Sequence, residues 1–167
     1  YQALEGSPEY FTWYEVESPS VLRSAEYINC LSNPTPWTTQ IMSGVFLNAS
    51  RTVCKRHIIA GELFGSTAMT IRLEADASDQ DIQETLKATY DPARVARIEK
   101  WSADEKPGDE AKAEEQIRGP DEKIKICFIL ETIREEDARI IATELLKQSI
   151  RAEIGIYKLL CEYPKLL

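Results

Sequence analysis

One histidine, His57, stands among 167 residues. The chain therefore offers a single side chain with an unperturbed pKa near neutrality. Cysteine is scarce too: Cys30, Cys54, Cys127 and Cys161 contain no C-x-x-C pair, so a Cys/His zinc site is not expected. Cys127 and Cys161 fall in apolar, strand-like runs and read as buried thiols of a reducing compartment. Basic charge is short as well. Twenty Lys and Arg against 28 Asp and Glu leave a net charge of −8, which argues against nucleic acid and against anionic membrane surfaces. The sequence shows no Gly-x-Gly-x-x-Gly, P-loop or Gly-x-Ser-x-Gly elbow, and no cofactor is expected. Neither a signal-peptide pattern nor an apolar run of membrane length is visible, so no membrane partner and a cytoplasmic setting are expected. Asn48-Ala49-Ser50 spells a glycosylation sequon, which is discounted without evidence of secretion.

What is present is a hydrophobic fraction of 43%, enough for a sizeable core, arranged in an ordered pattern. From Ser66 to Pro164 the residues read strand, helix, strand, strand, helix, strand, the split βαβ order of a ferredoxin-like unit. Thr67–Leu73 alternates behind Gly65-Ser66 and opens a strand. Ser78 is an N-cap, with Asp79 and Asp81 in the first turn; Ile82, Leu86 and Tyr90 recur at helical spacing until Pro92. Val95–Trp101 reads as the second strand, and Ile124–Leu130, almost continuously apolar, as the third. Glu135–Ile150 is the clearest helix, with Ala138, Ile141, Ala142, Leu145 and Ser149 on one face. Glu153–Tyr163 closes the unit. The acidic stretch 102–122 between the second and third strands reads as a solvated excursion, with a short helix from Asp109 to Arg118.

Tyr1–Ile59 repeats only the last four elements of that order. Tyr1–Leu4 reads as the tail of a strand, and Tyr10–Val16, aromatic and β-branched, as the next strand. Ser18-Pro19 starts a helix with Leu22, Ala25 and Ile28 as its stripe, Asn33-Pro34-Thr35-Pro36 breaks it, and Ser50–Ile59 is a strand. The expected fold is α+β: a ferredoxin-like dimeric α/β barrel of two fused units, residues 1–61 and 62–167, the first lacking its N-terminal strand and helix. The missing strand would lie mid-sheet, where unpaired backbone groups are costly. Residues before Tyr1, another chain, or Ile41–Leu47 recruited as a strand would fill the gap, and the first is favoured.

Glu5-Gly6-Ser7-Pro8-Glu9-Tyr10, Tyr14-Glu15-Val16-Glu17-Ser18-Pro19, Asn33-Pro34-Thr35-Pro36-Trp37-Thr38 and Ser50-Arg51-Thr52-Val53-Cys54 together resemble the EthD-like branch of the dimeric α/β-barrel superfamily, a family of uncharacterised bacterial and fungal proteins. The resemblance covers most of Tyr1–Arg56. It implies two four-stranded antiparallel sheets packed into a barrel by fusion or as a homodimer, with a further strand and helix ahead of Tyr1, and it implies no particular activity.

His57 and Tyr14 are the candidate catalytic residues, and Arg51, Trp37 and Tyr10 the candidate substrate-binding ones. On period two His57 shares a strand face with Arg51, Val53, Lys55 and Ile59, and is either a base or a structural or surface His. Trp37, placed in the loop after the first helix, either lids an apolar pocket or plugs the core. Arg51 either grips a substrate carboxylate or pairs with Glu15 or Glu17. Tyr10 and Tyr14 share a strand face with Thr12 and Val16 and line a pocket or pack. Glu15, Glu17, Glu99 and Asp104 show no spacing that argues a paired acid and base. Two functions follow: a protein that binds or converts a small organic molecule without a metal, as an isomerase, cyclase, lyase or monooxygenase-like protein, or a non-catalytic binding or self-association subunit.

Overall fold

The computed structural model describes residues 1–45, 49–74, 76–104, 122, 124–148 and 150–162. Their elements are β1 (Gln2–Glu5), a 3-10 turn (Pro19–Arg23), α1 (Ala25–Ser32), α2 (Pro36–Gly44), β2 (Cys54–Ala60), β3 (Thr67–Leu73), α3 (Asp79–Thr89), β4 (Val95–Ala103), β5 (Ile126–Thr132), α4 (Glu135–Lys147) and β6 (Ala152–Lys158). The fold is α+β. Its six strands form one sheet in the order β1-β6-β3-β5-β4-β2. The four inner strands belong to β3-α3-β4-β5-α4-β6 and lie as β6-β3-β5-β4, the order of a ferredoxin-like unit. β3 is central, pairing antiparallel with β5 (Thr67 opposite Thr132, Met69 opposite Leu130) and with β6 (Met69 opposite Ile156).

The local signals of this unit act as the sequence indicates. The Ser78 side chain accepts from Asp81 N, and Asp79 and Asp81 sit at the positive end of the α3 dipole with Lys87 in its last turn. Helix α4 opens with Glu135, Glu136 and Asp137 and has no side-chain cap, so the acidic turn supplies the favourable charge. Each helix lays one stripe on the sheet: Ile82 and Leu86 from α3, and Ala138, Ile141, Ala142 and Leu145 from α4. They meet Met69, Ile71, Val95, Ile98, Phe128, Leu130 and Ile156 in one core. Burying a Leu86-sized side chain contributes roughly 1.5–3 kcal/mol.

Two expectations for residues 62–167 change. Strand β6 ends at Lys158 and Cys161 is exposed, whereas Cys127 is buried. The Asp109–Arg118 helix, Ser149 and Asn48 lie outside the described residues.

The chain before residue 61 differs more. β1 joins the β6 edge of this same sheet and β2 the β4 edge, so both contribute to the sheet of the following unit. Tyr10–Val16 is not a strand: only Tyr10 bridges, to Gln2. Composition suited to a pleated surface is instead used in ring packing, since Trp13 stacks on Tyr1 and Phe11 packs tilted against it. Ile41–Gly44 is helical, so Ile41–Leu47 does not begin as a substitute strand; Phe46 and Leu47 lie outside the described residues.

By contacts the chain divides into two units at other places than 61/62. The sheet unit takes Tyr1–Trp13, Lys55–Ser102 and Ile124–Leu167; the second takes Tyr14–Cys54 and Ala103–Lys123. In the second unit Ser24 caps α1 by accepting from Tyr27 N, Thr35 caps α2 by accepting from Thr38 N, and Pro36 stands in the first turn of α2. Of the expected stripe Leu22, Ala25 and Ile28, only Leu22 is buried.

Candidate functional site

Two side-chain constellations stand out, one in each unit. In the second unit Arg51 Nη1 donates to Tyr14 Oη at 3.3 Å and to Tyr27 Oη at 3.0 Å. Two expected residues, Arg51 and Tyr14, are thus brought together, with Tyr27 added. Tyr14 is 59% exposed, whereas Arg51 and Tyr27 are half-buried. The other candidates do not join it. Trp37 is in the first turn of α2, not in a loop, and is 70% exposed. Tyr10 is exposed, its hydroxyl 3.4 Å from Gln2 Nε2. His57 lies exposed on β2, in the sheet unit.

The second constellation was not foreseen. On the sheet face turned away from α3 and α4 lie Ala68, Cys127 and Ile129, packed by Tyr1, Phe11, Trp101 and Ile124. At the β4–β5 side of that face three charged residues are almost wholly buried: Arg97 at 4%, Glu99 at 1% and Glu131 at 0% exposure. Alternation along β4 and a register shift between Val95 and Arg97 put Arg97 and Glu99 side by side, with Glu131 of β5 opposite Arg97. Arg97 Nε is 3.0 Å from Glu99 Oε1, and Arg97 Nη2 is 2.8 Å from Glu131 Oε2. These are ion-pair distances, yet none of those four atoms meets a partner in hydrogen-bond alignment. The attraction is one of charge, with donors and acceptors left poorly directed.

Each carboxylate has a better-directed bond on its other side. The Tyr1 hydroxyl donates to Glu131 Oε1 at 2.5 Å, and the indole of Trp101 donates to Glu99 Oε2 at 2.7 Å. Arg56 of β2, one-third exposed, reaches Glu99 Oε1 at 3.5 Å. Burial pushes the Glu131 carboxyl above its usual range, opposed by the Tyr1 hydroxyl, Arg97 and the Gly65 N–H. Burial, then the bond to Glu131, pushes the Tyr1 phenol up as well. Both protons of the pair are therefore held more tightly than in water.

Aromatic rings wall this cluster. Tyr1 stacks on Trp13 at 4.9 Å between centroids, Trp13 meets Trp101 edge-on at 5.2 Å, and Phe11 meets Tyr157 at 5.3 Å. The Phe64 ring covers the Arg97 guanidinium, its centroid 4.3 Å from the central carbon. Among the described residues no three His, Cys, Asp or Glu side chains gather as a metal site needs, and no helix is long and apolar enough to cross a membrane.

The signal for this cluster was present in the strands themselves. Arg97 and Glu99 occupy alternate positions of a strand that also offers Val95 and Trp101, and Glu131 follows the run Phe128–Leu130. Charges placed at inward positions of confident strands mark a buried ionic group. No protein-family model, curated protein or solved structure matches the chain.

Proposed function

We propose that this chain binds, and through Glu131 exchanges a proton with, a small uncharged organic molecule on the sheet face opposite its helices, without a metal. The observation that carries the reading is the group of three nearly buried charges whose facing donors and acceptors are not satisfied by one another. An apolar packing of the same strands would avoid that desolvation cost. A ligand hydroxyl can accept from Arg97 and donate to Glu99 or Glu131, and a ligand carbonyl can accept from Arg97, repairing the alignment. Two arginines, Arg97 and Arg56, stand against two carboxylates, so an uncharged ligand leaves the balance intact. A carboxyl of raised proton affinity beside a tyrosine hydroxyl is suited to general acid–base work. The ferredoxin-like strand order and the aromatic wall accord with an EthD-like dimeric barrel, in which a second sheet would complete this face. The Arg51–Tyr14–Tyr27 group is assigned no catalytic part.

The test is ligand-observed NMR of the full chain against a library of small uncharged hydroxy and carbonyl compounds, repeated with Glu131→Gln. Binders whose affinity falls about tenfold or more in the variant support the reading, a loss of about 1.4 kcal/mol. Absence of any binder at millimolar concentration, or equal binding to both proteins, overturns it. The second reading, a self-association subunit, is favoured by one observation: Ile58, Leu63 and Phe64 expose 44%, 66% and 57% of their area. Sedimentation of the wild type against Leu63→Ser separates it, because only self-association makes the mass depend on that side chain.

A further inference from the structure

We infer that the Phe64 side chain is the gate of the buried Arg97–Glu99–Glu131 site. The inference rests on the ligand reading above and supplies its entry route. A ligand cannot reach a guanidinium that is 4% exposed unless something covering it moves. One face of that guanidinium lies beneath the Phe64 ring, and the ring is itself 57% exposed. It lies against Arg97 and keeps more than half of its own area in solvent.

The surrounding backbone favours a moving side chain over a moving connection. Phe64 lies in the short link from β2 to β3, and glycines stand on both sides of it. Neither glycine is a free hinge. Gly61 has φ +73°, and a Cβ added there would stand 2.2 Å from the Ala96 carbonyl oxygen. A Cβ on Gly65 would stand 2.4 Å from the Thr132 carbonyl oxygen. Both glycines are pressed onto strand backbone, the first on β4 and the second on β5. Leu63 N also donates to Ala96 O at 3.3 Å. With both glycines packed against strand backbone, the gating motion is placed in the Phe64 side chain. Exposed side chains change rotamer in picoseconds to nanoseconds. The other cover, Tyr1–Trp13, is held by the Tyr1–Glu131 bond and by backbone pairing of Ala3 with Glu9 and of Phe11 with Tyr1.

The ring also reports what the site accepts. It occupies the position from which a flat group can lie on the guanidinium, so an entering ligand takes the place of Phe64 there.

Arginine labelling by phenylglyoxal, mapped by peptide mass spectrometry on the full chain, tests the gate without knowledge of the ligand. Arg151, 59% exposed and paired with Glu74 and Asp76, serves as the solvent-exposed, ion-paired reference, and the Cys127 thiol, 5% exposed, as the indicator that the sheet stays folded. In the wild type Arg97 lags far behind Arg151. In Phe64→Ala, Arg97 labelling accelerates by about tenfold or more relative to Arg151, with Cys127 still protected; an opening cost of only about 1.4 kcal/mol slows labelling by that factor. Phe64→Leu gives a smaller acceleration in the same direction, and decides the matter if the Ala variant exposes Cys127. Unchanged protection of Arg97 in the folded variants overturns the gate. If Arg97 becomes reactive but no ligand of the preceding screen binds, the gate stands and the ligand reading falls.

Discussion

Replacing Arg97 by Met tests whether the buried charges are as coupled as their positions imply. Methionine fills much of the arginine stem and removes the guanidinium, leaving Glu99 and Glu131 at 1% and 0% exposure without their shared cation. Removing one partner of a buried ion pair typically costs about 3–5 kcal/mol. Three features place this case at the low end. Glu131 keeps the Tyr1 hydroxyl, Glu99 keeps the Trp101 indole and the more distant Arg56, and the contacts being lost are poorly aligned. The expected loss at pH 7 is therefore about 3 kcal/mol. With a urea slope of about 1–3 kcal/mol/M, the unfolding midpoint falls by roughly 1–3 M. The loss depends on pH with a definite sign. Burial makes the folded Glu131 carboxyl bind its proton more tightly than the unfolded one, so stability falls as pH rises from the unfolded carboxylate range through the folded value. Without Arg97 that folded value rises further, and the penalty of ionising Glu131 grows. Urea titrations followed by far-UV circular dichroism should thus show a larger gap between variant and wild type at pH 7 than at pH 5. Adding Glu131→Gln should recover part of the loss at pH 7. A loss below about 1 kcal/mol, or an equal loss at both pH values, would refute the reasoning: the cluster would then be solvated or its charges uncoupled.

Two further outcomes follow from other parts of the sheet unit. Asp137, in the first turn of α4, accepts from Arg94 Nε at 2.7 Å and Arg134 Nε at 3.0 Å, and its carboxyl is held below the usual range by Arg94 first and Arg134 second. Asp137→Asn should lose about 1–2 kcal/mol at neutral pH, discounted for the partly exposed arginines. Because the folded carboxyl binds its proton more weakly, that contribution is present above the unfolded carboxylate range and is lost as pH falls through the folded value; acid titration should bring the two unfolding curves together. Gly61→Ala combines a φ of +73° with a Cβ aimed into the Ala96 carbonyl, and should cost about 1–3 kcal/mol or more; a thermal midpoint within about a degree of wild type would show that the β2–β3 link shifts freely.

The local chemistry of residues 66–158 was legible before the fold was seen. Ser78 caps its helix, the Ile82–Leu86 and Ala138–Leu145 stripes face the sheet, and Thr67–Leu73 has the bounds its alternation suggests. Near the start of the chain the same reasoning misplaced Tyr10–Val16. Aromatic and β-branched residues report a need for apolar contact, and Phe11 and Trp13 meet that need by packing with other rings, with no long ladder. The candidate site was less legible. His57, the one imidazole, and Trp37, expected in a loop, are both exposed, while Glu131 lies just past the Ile124–Leu130 run and carries no local signal of its partners.

By itself the sequence determined the order of elements in the ferredoxin-like unit, because helical and strand periods and caps are properties of neighbouring residues. Only the tertiary structure decided which strands flank which, and so that β1 and β2 take opposite edges of one sheet. It also decided that Arg97 and Glu99 of β4 meet Glu131 of β5, with the Tyr1 hydroxyl and the Phe64 ring closing over them. Those residues come from distant points of the chain, and no local pattern specifies a contact that forms only when strands pair across the sheet.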